Sequence, residues 1–222
     1  MPFDWFNQVL VERDDTKASD LLAAARAVSR PADVPIVRLR DGTDDRFIRD
    51  LTRAGWIAAG AATMTPGMVA FPIDHLATMG RHLPEFQIRR VADSAGVDEH
   101  RDVVTAGFGT PPSVAVETTG LELLGTPEPT IYVGYAAGLP VTAGLGWRSG
   151  RTIGVYAIST VPTARRRGYG EAMTARVVAD GIAAGCDVAV LQASEIGRPI
   201  YERLGFRVDV RYNVHVRSAL VG

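Results

Sequence analysis

The spacing of hydrophobic and polar residues predicts a series of short elements in the second half of the chain. FQIRRVADSAGVDEH reads as a strand and then a helix that begins near Asp93 or Ser94, since either side chain can cap free backbone N–H groups. Three β-rich runs follow, near 130–135, 141–147 and 152–159, and glycine and proline residues separate them. Such residues favour tight reversals, so the three runs should pair antiparallel.

Further along the chain, helix and strand should alternate. GYGEAMTARVVADGIAAG has apolar residues at helical spacing and ends at Gly185, which suits a left-handed helix stop. DVAVLQAS is then a short buried strand, and IGRPIYERLGF is a helix with Ile196, Ile200 and Leu204 on one face. FRVDVRYNVHVRS alternates strictly, with its valines on one side and polar residues, His215 among them, on the other. This pattern predicts a long half-buried strand, or two strands joined by a bulge.

The first part of the chain repeats the order of the last part. Residues 1–85 contain a helical, a strand-like, a second helical and a second β-rich segment, which is also the order over 171–217. LTRAGW at 51–56 shares its arginine, its glycine and a terminal aromatic residue with YERLGF at 201–206. We therefore predict an internal half-repeat, with domains over 1–85 and 86–222. The alternative is a chance similarity between two helix-to-strand corners.

Composition limits the classes of function. The 222 residues are 46% hydrophobic, and 24 basic against 25 acidic residues give a net charge of −1. Total charge therefore favours neither nucleic acid nor an anionic membrane as a partner, and any anion site must be local. The one cysteine, Cys186, excludes an intramolecular disulfide and a cysteine metal cluster. The N-terminus has no signal-peptide pattern and no apolar run reaches 18 residues. We expect a soluble cytoplasmic protein without a metal.

A cluster of arginines and glycines is the best candidate for such a local site. ARRRGYGEAM, residues 164–173, lies between a predicted strand and a predicted helix. Free amides at a helix N-terminus bind phosphate, and glycines let the ligand approach the backbone. A solvated arginine turn is the alternative. The third glycine of a Rossmann fingerprint is missing, and the absence of Gly-Lys-Ser/Thr excludes a P-loop.

Two motifs resemble those of the GCN5-related N-acetyltransferases, the GNAT superfamily. Arg165-x-x-Gly168-x-Gly170 is similar to the family's Q/R-x-x-G-x-G/A, and Tyr201 opens a segment, YERLGF, similar to its Y-x-x-x-G-F. The resemblance covers about residues 86–222 and implies an α/β fold, with a mixed, mostly antiparallel central sheet flanked by helices. The first 85 residues resemble only the back half of such a domain, with Leu51 where the tyrosine would be. The resemblance thus implies a degenerate half-domain that packs and shapes rather than catalyses.

The resemblance also implies how acetyl-CoA binds. The pantetheine arm would pair with strand backbone, and the pyrophosphate would meet the amides of the glycine loop. The implied cofactor residues are Ile158, Ser159, Thr160, Arg166, Arg167, Gly168, Tyr169, Gly170 and Glu171. Because backbone amides would do most of this binding, the arginine and tyrosine side chains receive no individual role.

The implied reaction moves an acetyl group directly to a primary amine of a small molecule, peptide or protein. Tyr201 would be the acid that protonates the departing thiolate, and its alternative role is packing in the core. The general base stays open. Where many family members carry a glutamate on a strand, this sequence has Tyr156 and Gln192; Glu117, His215 or a chain of waters are the other candidates.

Two other classes of function remain open from the sequence. One is a non-catalytic acyl-CoA-binding module, which the missing strand carboxylate favours. The other is a serine hydrolase, because ADSAG at 92–96 nearly matches G-x-S-x-G, although helix capping explains Ser94 more simply. The resemblance places the acceptor site in variable loops, here 105–128 and the final hairpin. The identity of the acceptor and the assembly state, a monomer or a homodimer, are left open.

Overall fold

The structure is a computed structural model that describes residues 8–10, 15–27, 36–59, 65–78 and 83–217. Its packing divides the chain into two compact units, Met1–Gly67 with Val208–Gly222, and Met68–Arg207. The boundary that the sequence predicts near residue 85 divides two sequence segments that resemble each other. The two compact units do not test it, and it stays a prediction. None of the described helices is long and apolar enough to cross a membrane.

The first unit places helices on one face of a small sheet. Its complete elements are β1 Gln8–Leu10, α1 Ala18–Ala27, β2 Ile36–Arg40, α2 Ile48–Arg53 and β3 Trp56–Ala58. It also contains the first three residues of β4 Thr65–Ala70 and all but the first residue of β10 Arg207–Arg217. Strand β2 pairs parallel with β1 and antiparallel with β10, which also pairs antiparallel with β3. One buried apolar cluster joins these strands to the helices: Leu21, Val37, Leu39, Phe47, Leu51 and Trp56.

The second unit is a mixed sheet with helices on both faces. After the end of β4 its elements are β5 Phe86–Arg90, α3 Ser94–Phe108, α4 Pro112–Thr118, β6 Pro129–Ala136, β7 Leu139–Ser149, β8 Thr152–Thr160, α5 Tyr169–Ala183, β9 Val188–Gln192 and α6 Arg198–Arg203. The strand order is β4-β9-β8-β7-β6-β5. Strands β5 to β8 pair antiparallel in sequence, and β9 runs parallel to β8. The predicted α/β class with a mostly antiparallel sheet is confirmed.

Successive residues of β7 show which helix covers which face. A Cβ on Gly144 would lie 2.8 Å from the side chain of Met173 in α5. The next residue, Leu145, packs in a buried cluster with Val97 of α3 and Ile131 of β6. Because neighbouring residues of a strand point to opposite faces, α3 and α5 cover the two sides of the sheet.

The helix-to-strand corners behave as their sequences predict. The Asp93 side chain caps α3 by accepting a hydrogen bond from the Gly96 amide at 2.8 Å. Gly185 follows α5 with a φ of +90°, as expected for a left-handed stop. The corners after α2 and α6 share one geometry, because Gly55 and Gly205 have φ of +83° and +90° and each precedes a buried aromatic residue.

Two details of the predicted elements are wrong. Ile196 does not share a buried face with Leu204, because α6 begins only at Arg198 and leaves Ile196 89% exposed. The alternation of the last strand predicts that His215 lies on its polar side, yet His215 is buried. Strand β10 lies between two neighbours at this point, since His215 is in register with both Val37 and Ala58.

Candidate active site

Strand β8 separates from β9 halfway along its length. Its register with β9 covers Thr152–Val155 only, whereas its register with β7 continues to Thr160. In the described sheet, the backbone of Ile158–Thr160 therefore has a strand partner on the β7 side alone. An extended chain of amides from a ligand could pair with this free edge as an added strand does.

A β-bulge lies at the point of separation. Leu145 of β7 faces Tyr156, but Ala143 faces Ser159, so β8 contains one more residue than β7 over this stretch. Ala157 takes up the extra residue with a φ of +51°, in the left-handed region that alanine seldom adopts. A bulge bends the strand that contains it, and this one lies where β8 leaves β9, at the start of a gap between these two strands.

The arginine and glycine loop forms a backbone concavity at the start of α5. Arg166 has a φ of +65° and Gly168, the N-cap, has a φ of +88°. The first helical amide with a backbone acceptor is that of Ala172, which donates to the Gly168 carbonyl at 3.0 Å. No described group accepts from the amides of 166–171. Free amides at a helix N-terminus, with left-handed residues before it, form an anion site.

The strand edge and the glycine loop lie side by side. A Cβ on Gly170 would lie 3.6 Å from the Thr160 hydroxyl oxygen and 3.8 Å from the Ile158 side chain. The predicted cofactor residues of 158–160 and 166–171 are therefore brought together. Their binding of acetyl-CoA stays a prediction.

The side chains of this region have separate tasks. Arg166 and Arg167 are exposed. The Tyr169 ring stacks on Phe86 of β5, with centroids 4.6 Å apart. The Ser159 side chain is buried on the face of the sheet that α3 covers, where its hydroxyl donates to the Val103 carbonyl at 3.5 Å. Only the backbone of Ser159 can therefore face the gap.

Tyr201 lies on α6, which an ion pair connects to the glycine loop. Arg203 donates to the Glu171 carboxylate at 3.4 Å, so the start of α5 and the end of α6 are neighbours. The Tyr201 ring is half-buried and meets Phe206 edge to face at 6.1 Å. No described group hydrogen-bonds its hydroxyl. Burial raises the pKa of Tyr201 to about 12, so the hydroxyl keeps its proton at neutral pH and can donate it or a hydrogen bond.

The structure separates the candidates for the general base. Tyr156 and Gln192 are exposed on β8 and at the end of β9, beside the gap, and neither carries a carboxylate. His215 belongs to the first unit, where burial lowers its pKa. The Glu117 side chain lies outside the described residues. No carboxylate base is thereby identified.

The hydrolase alternative gains no support from the geometry around Ser94. Ser94 is the first residue of α3, and the neighbouring Asp93 provides the helix cap. This is the capping role that the sequence suggested for the pair. Within the described ranges, no three or more His, Cys, Asp or Glu side chains form a group that could hold a metal ion.

Two features of the site were missed by the sequence reasoning. One is the bulge at Ala157, for which the sequence contains no glycine or other signal. The other is the role of Arg165, whose guanidinium donates to the carbonyls of Thr160 at 3.2 Å and Gly107 at 2.6 Å. The first arginine of the motif thus binds the protein's own backbone.

Comparison with known proteins identifies the domain. Residues 130–208 match the acetyltransferase (GNAT) domain family. No curated protein matches the sequence significantly. Among solved structures, a GCN5-related N-acetyltransferase from Kribbella flavida superposes with a TM-score of 0.71 at 15% identity, over 95% of this chain and 81% of that one.

Two further structures agree. A GCN5-related N-acetyltransferase from Sphaerobacter thermophilus gives a TM-score of 0.64 at 16% identity, over 89% of this chain and 64% of the other. A GNAT-family protein from Novosphingobium aromaticivorans, described as a putative acetyltransferase, gives 0.55 at 16%, over 85% and 77%. At such identities the likeness shows the fold, and the family match supplies the chemistry. The resemblance to the GNAT superfamily is confirmed: residues 130–208 match a GNAT acetyltransferase domain, and this match indicates an N-acetyltransferase enzyme with acetyl-CoA as cosubstrate.

Proposed function

We propose that the protein transfers an acetyl group from acetyl-CoA directly to the primary amine of a small molecule, a peptide or a protein. The observation that carries this proposal is the free edge of β8 beside the anion site at the start of α5. A linear ligand with amides at one end and a pyrophosphate at the other fits two such adjacent features, and acetyl-CoA has that chemistry.

The ligand lies along the backbone in this proposal. The pantetheine amides pair with Ile158–Thr160, where β8 has turned away from β9. The pyrophosphate accepts from the amides of 166–171, and the positive end of the α5 dipole favours its charge. Gly168 and Gly170 matter most, because the ligand contacts backbone there and not side chains.

Transfer then needs few protein groups. The amine nitrogen attacks the thioester carbon, the carbon–nitrogen bond forms, and the carbon–sulfur bond breaks with the electron pair leaving on sulfur. Tyr201 donates its proton to that sulfur. The proton lost by the amine passes to water, because the sequences of β8 and β9 contain no Asp or Glu. We therefore expect kcat/KM to rise with pH until the amine itself is neutral.

The missing carboxylate also favours a second candidate, an acyl-CoA-binding module without turnover. Both candidates predict binding of CoA, but only the enzyme releases free thiol when an amine is added. The partly buried Tyr201, whose hydroxyl has no hydrogen-bond partner among the described residues, argues for the enzyme, since a module without turnover has no use for a proton donor beside the sulfur.

We also propose that residues 1–85 are a degenerate copy of the back half of the domain. The support is the shared corner geometry, in which Gly55 and Gly205 have nearly equal φ and precede Trp56 and Phe206, both buried. As a separate proposal, we place the protein in the cytoplasm.

Thiol release tests the proposed function. The protein is incubated with acetyl-CoA and a panel of polyamines, amino acids, aminoglycosides and lysine-containing peptides, and free CoA is measured with a thiol reagent. The enzyme predicts amine-dependent release above the rate without an amine. Binding of CoA by calorimetry with no release from any amine would favour the binding module instead.

A further inference from the structure

The end of α3 contains a carbonyl that cannot be satisfied within its own helix. In an α-helix the carbonyl of residue 107 accepts from the amide of residue 111, but Pro111 has no amide hydrogen. The helix ends at Phe108, and Gly109 follows in the left-handed region with its amide donating to Thr105. Within the part of the chain that the structure describes, the Gly107 carbonyl is thus left without a backbone partner at the negative end of the helix dipole.

The Arg165 guanidinium supplies the missing donor. Its Nη2 donates to the Gly107 carbonyl at 2.6 Å, and its Nε donates to the Thr160 carbonyl at 3.2 Å. One cation therefore binds the last turn of α3 and the last residue of β8. A hydrogen bond from a charged donor is worth about twice a neutral one, so this contact is a strong one for a side chain at the surface.

The two backbones that Arg165 joins are already in close contact. A Cβ on Gly107 would lie 2.7 Å from the Ser159 Cβ and 3.2 Å from the Thr160 amide nitrogen, so only glycine fits there. Beyond this contact, Ala115 of α4 packs in a buried cluster with Val103 and Ala143. The segment 107–118 therefore contacts the end of β8 at Gly107, and its Ala115 belongs to a cluster against which Ala157 of β8 also packs.

We propose that Arg165 is a positioning residue that couples the segment 107–118 to the cofactor loop, an inference that rests on the proposed function. Arg165 directly precedes the amides of 166–171. A ligand that fixes these amides restricts the backbone of Arg165 and so holds its guanidinium on the Gly107 carbonyl. Binding of CoA thereby orders 107–118, and by thermodynamic reciprocity a ligand that orders 107–118 tightens the binding of CoA.

Hydrogen exchange read by mass spectrometry tests the coupling, with CoA as the probe. In the parent protein we expect saturating CoA to slow exchange over 166–171 and, by at least about fivefold, over 107–118. In Arg165→Met the loop should still be protected, which verifies that CoA is bound, while the effect on 107–118 falls to less than about twofold. Arg165→Lys, which can reach one carbonyl at a time, should lie between the two.

Arg101→Met is the matched control. Arg101 also donates from its guanidinium to a carbonyl next to this segment, that of Thr119 at 2.8 Å, but it is not part of the cofactor loop. Its loss should raise exchange over 107–118 without CoA and leave the effect of CoA in place. Equal CoA protection of 107–118 in Arg165→Met and the parent would overturn the coupling while the proposed function stands. A parent protein whose loop CoA does not protect would overturn the proposed function, and the coupling with it.

Discussion

Replacing Tyr201 by phenylalanine distinguishes two roles of this residue, that of a proton donor and that of a packing residue. The substitution keeps the ring in its edge contact with Phe206 and in its close approach to Gly197, where a Cβ would lie 3.1 Å from the ring. It removes only the hydroxyl, which has no partner among the described residues. Because no buried group loses a hydrogen bond, the free energy of unfolding should change by less than about 1 kcal/mol.

The expected kinetic effect is much larger than the effect on stability. Burial raises the pKa of Tyr201 to about 12, so the hydroxyl is protonated throughout the range in which the enzyme would be assayed. General acid catalysis contributes about 10²- to 10⁴-fold, or about 2.7 to 5.5 kcal/mol of barrier. We expect kcat to fall by that factor in Tyr201→Phe, with the affinity for acetyl-CoA unchanged. Deprotonation of Tyr201 should cause no decline of the parent's rate below about pH 10, since its pKa lies higher.

The measurement is kcat and KM for acetyl-CoA with the best amine, under conditions where chemistry is shown to limit the rate. Tyr201→Ala is the companion variant. It also removes the aromatic pair, so it should lower the free energy of unfolding. The loss should be smaller than that for a fully buried aromatic residue, which is about 3 to 5 kcal/mol. A Tyr201→Phe enzyme with kcat within about threefold of the parent would assign Tyr201 to packing.

Three further predictions concern binding and stability. Gly168→Val should abolish CoA binding in calorimetry, because valine resists the φ of +88° that shapes the anion site; Gly150→Val, at a φ of +56° in the turn after β7, should bind normally despite similar strain. One CoA per chain is expected, since residues 1–85 contain no arginine and glycine loop, and a stoichiometry of two would contradict this. Burial lowers the pKa of His100 to about 4, so the unfolded chain takes up this proton first. The contribution of His100 to the free energy of unfolding should therefore fall by up to about 3 kcal/mol as the pH drops from 6.5 to 4, and it should be constant above pH 6.5. His100→Asn, whose side-chain amide nitrogen can take the place of Nδ1 toward the Tyr132 carbonyl, should reduce this slope and leave the part that the lowered pKa of His215 adds; an unchanged slope would refute the assignment.

Local patterns predicted most of the fold. The runs that became β6, β7 and β8 alternate at the spacing of strands, and their reversals contain the glycines that such turns need. The cap at Asp93 and the stop at Gly185 are also local chemistry, so the sequence was enough to place them. The arginine and glycine loop could be located from the sequence because Gly168 and Gly170 stand between a predicted strand and a predicted helix and match a family motif. Its binding of the cofactor stays a prediction.

Features that depend on distant residues could not be predicted. The left-handed Ala157 is imposed by the mismatch between β7 and β8 and carries no sequence signal. The burial of His215 depends on which strands flank β10. The capping of Gly107 by Arg165 joins residues far apart in the chain, and the short strand β1 is too brief for a periodic pattern. Tertiary context decides each of these.

A crystal structure of the protein with bound CoA tests the central claim most directly. We predict density for the pantetheine arm along Ile158–Thr160, with its amides paired to the free edge of β8, and for the pyrophosphate within hydrogen-bond distance of the amides of 166–171. The sulfur should then lie within reach of the Tyr201 hydroxyl. CoA bound elsewhere on the protein, or a loop whose amides remain free while CoA is bound, would contradict the account.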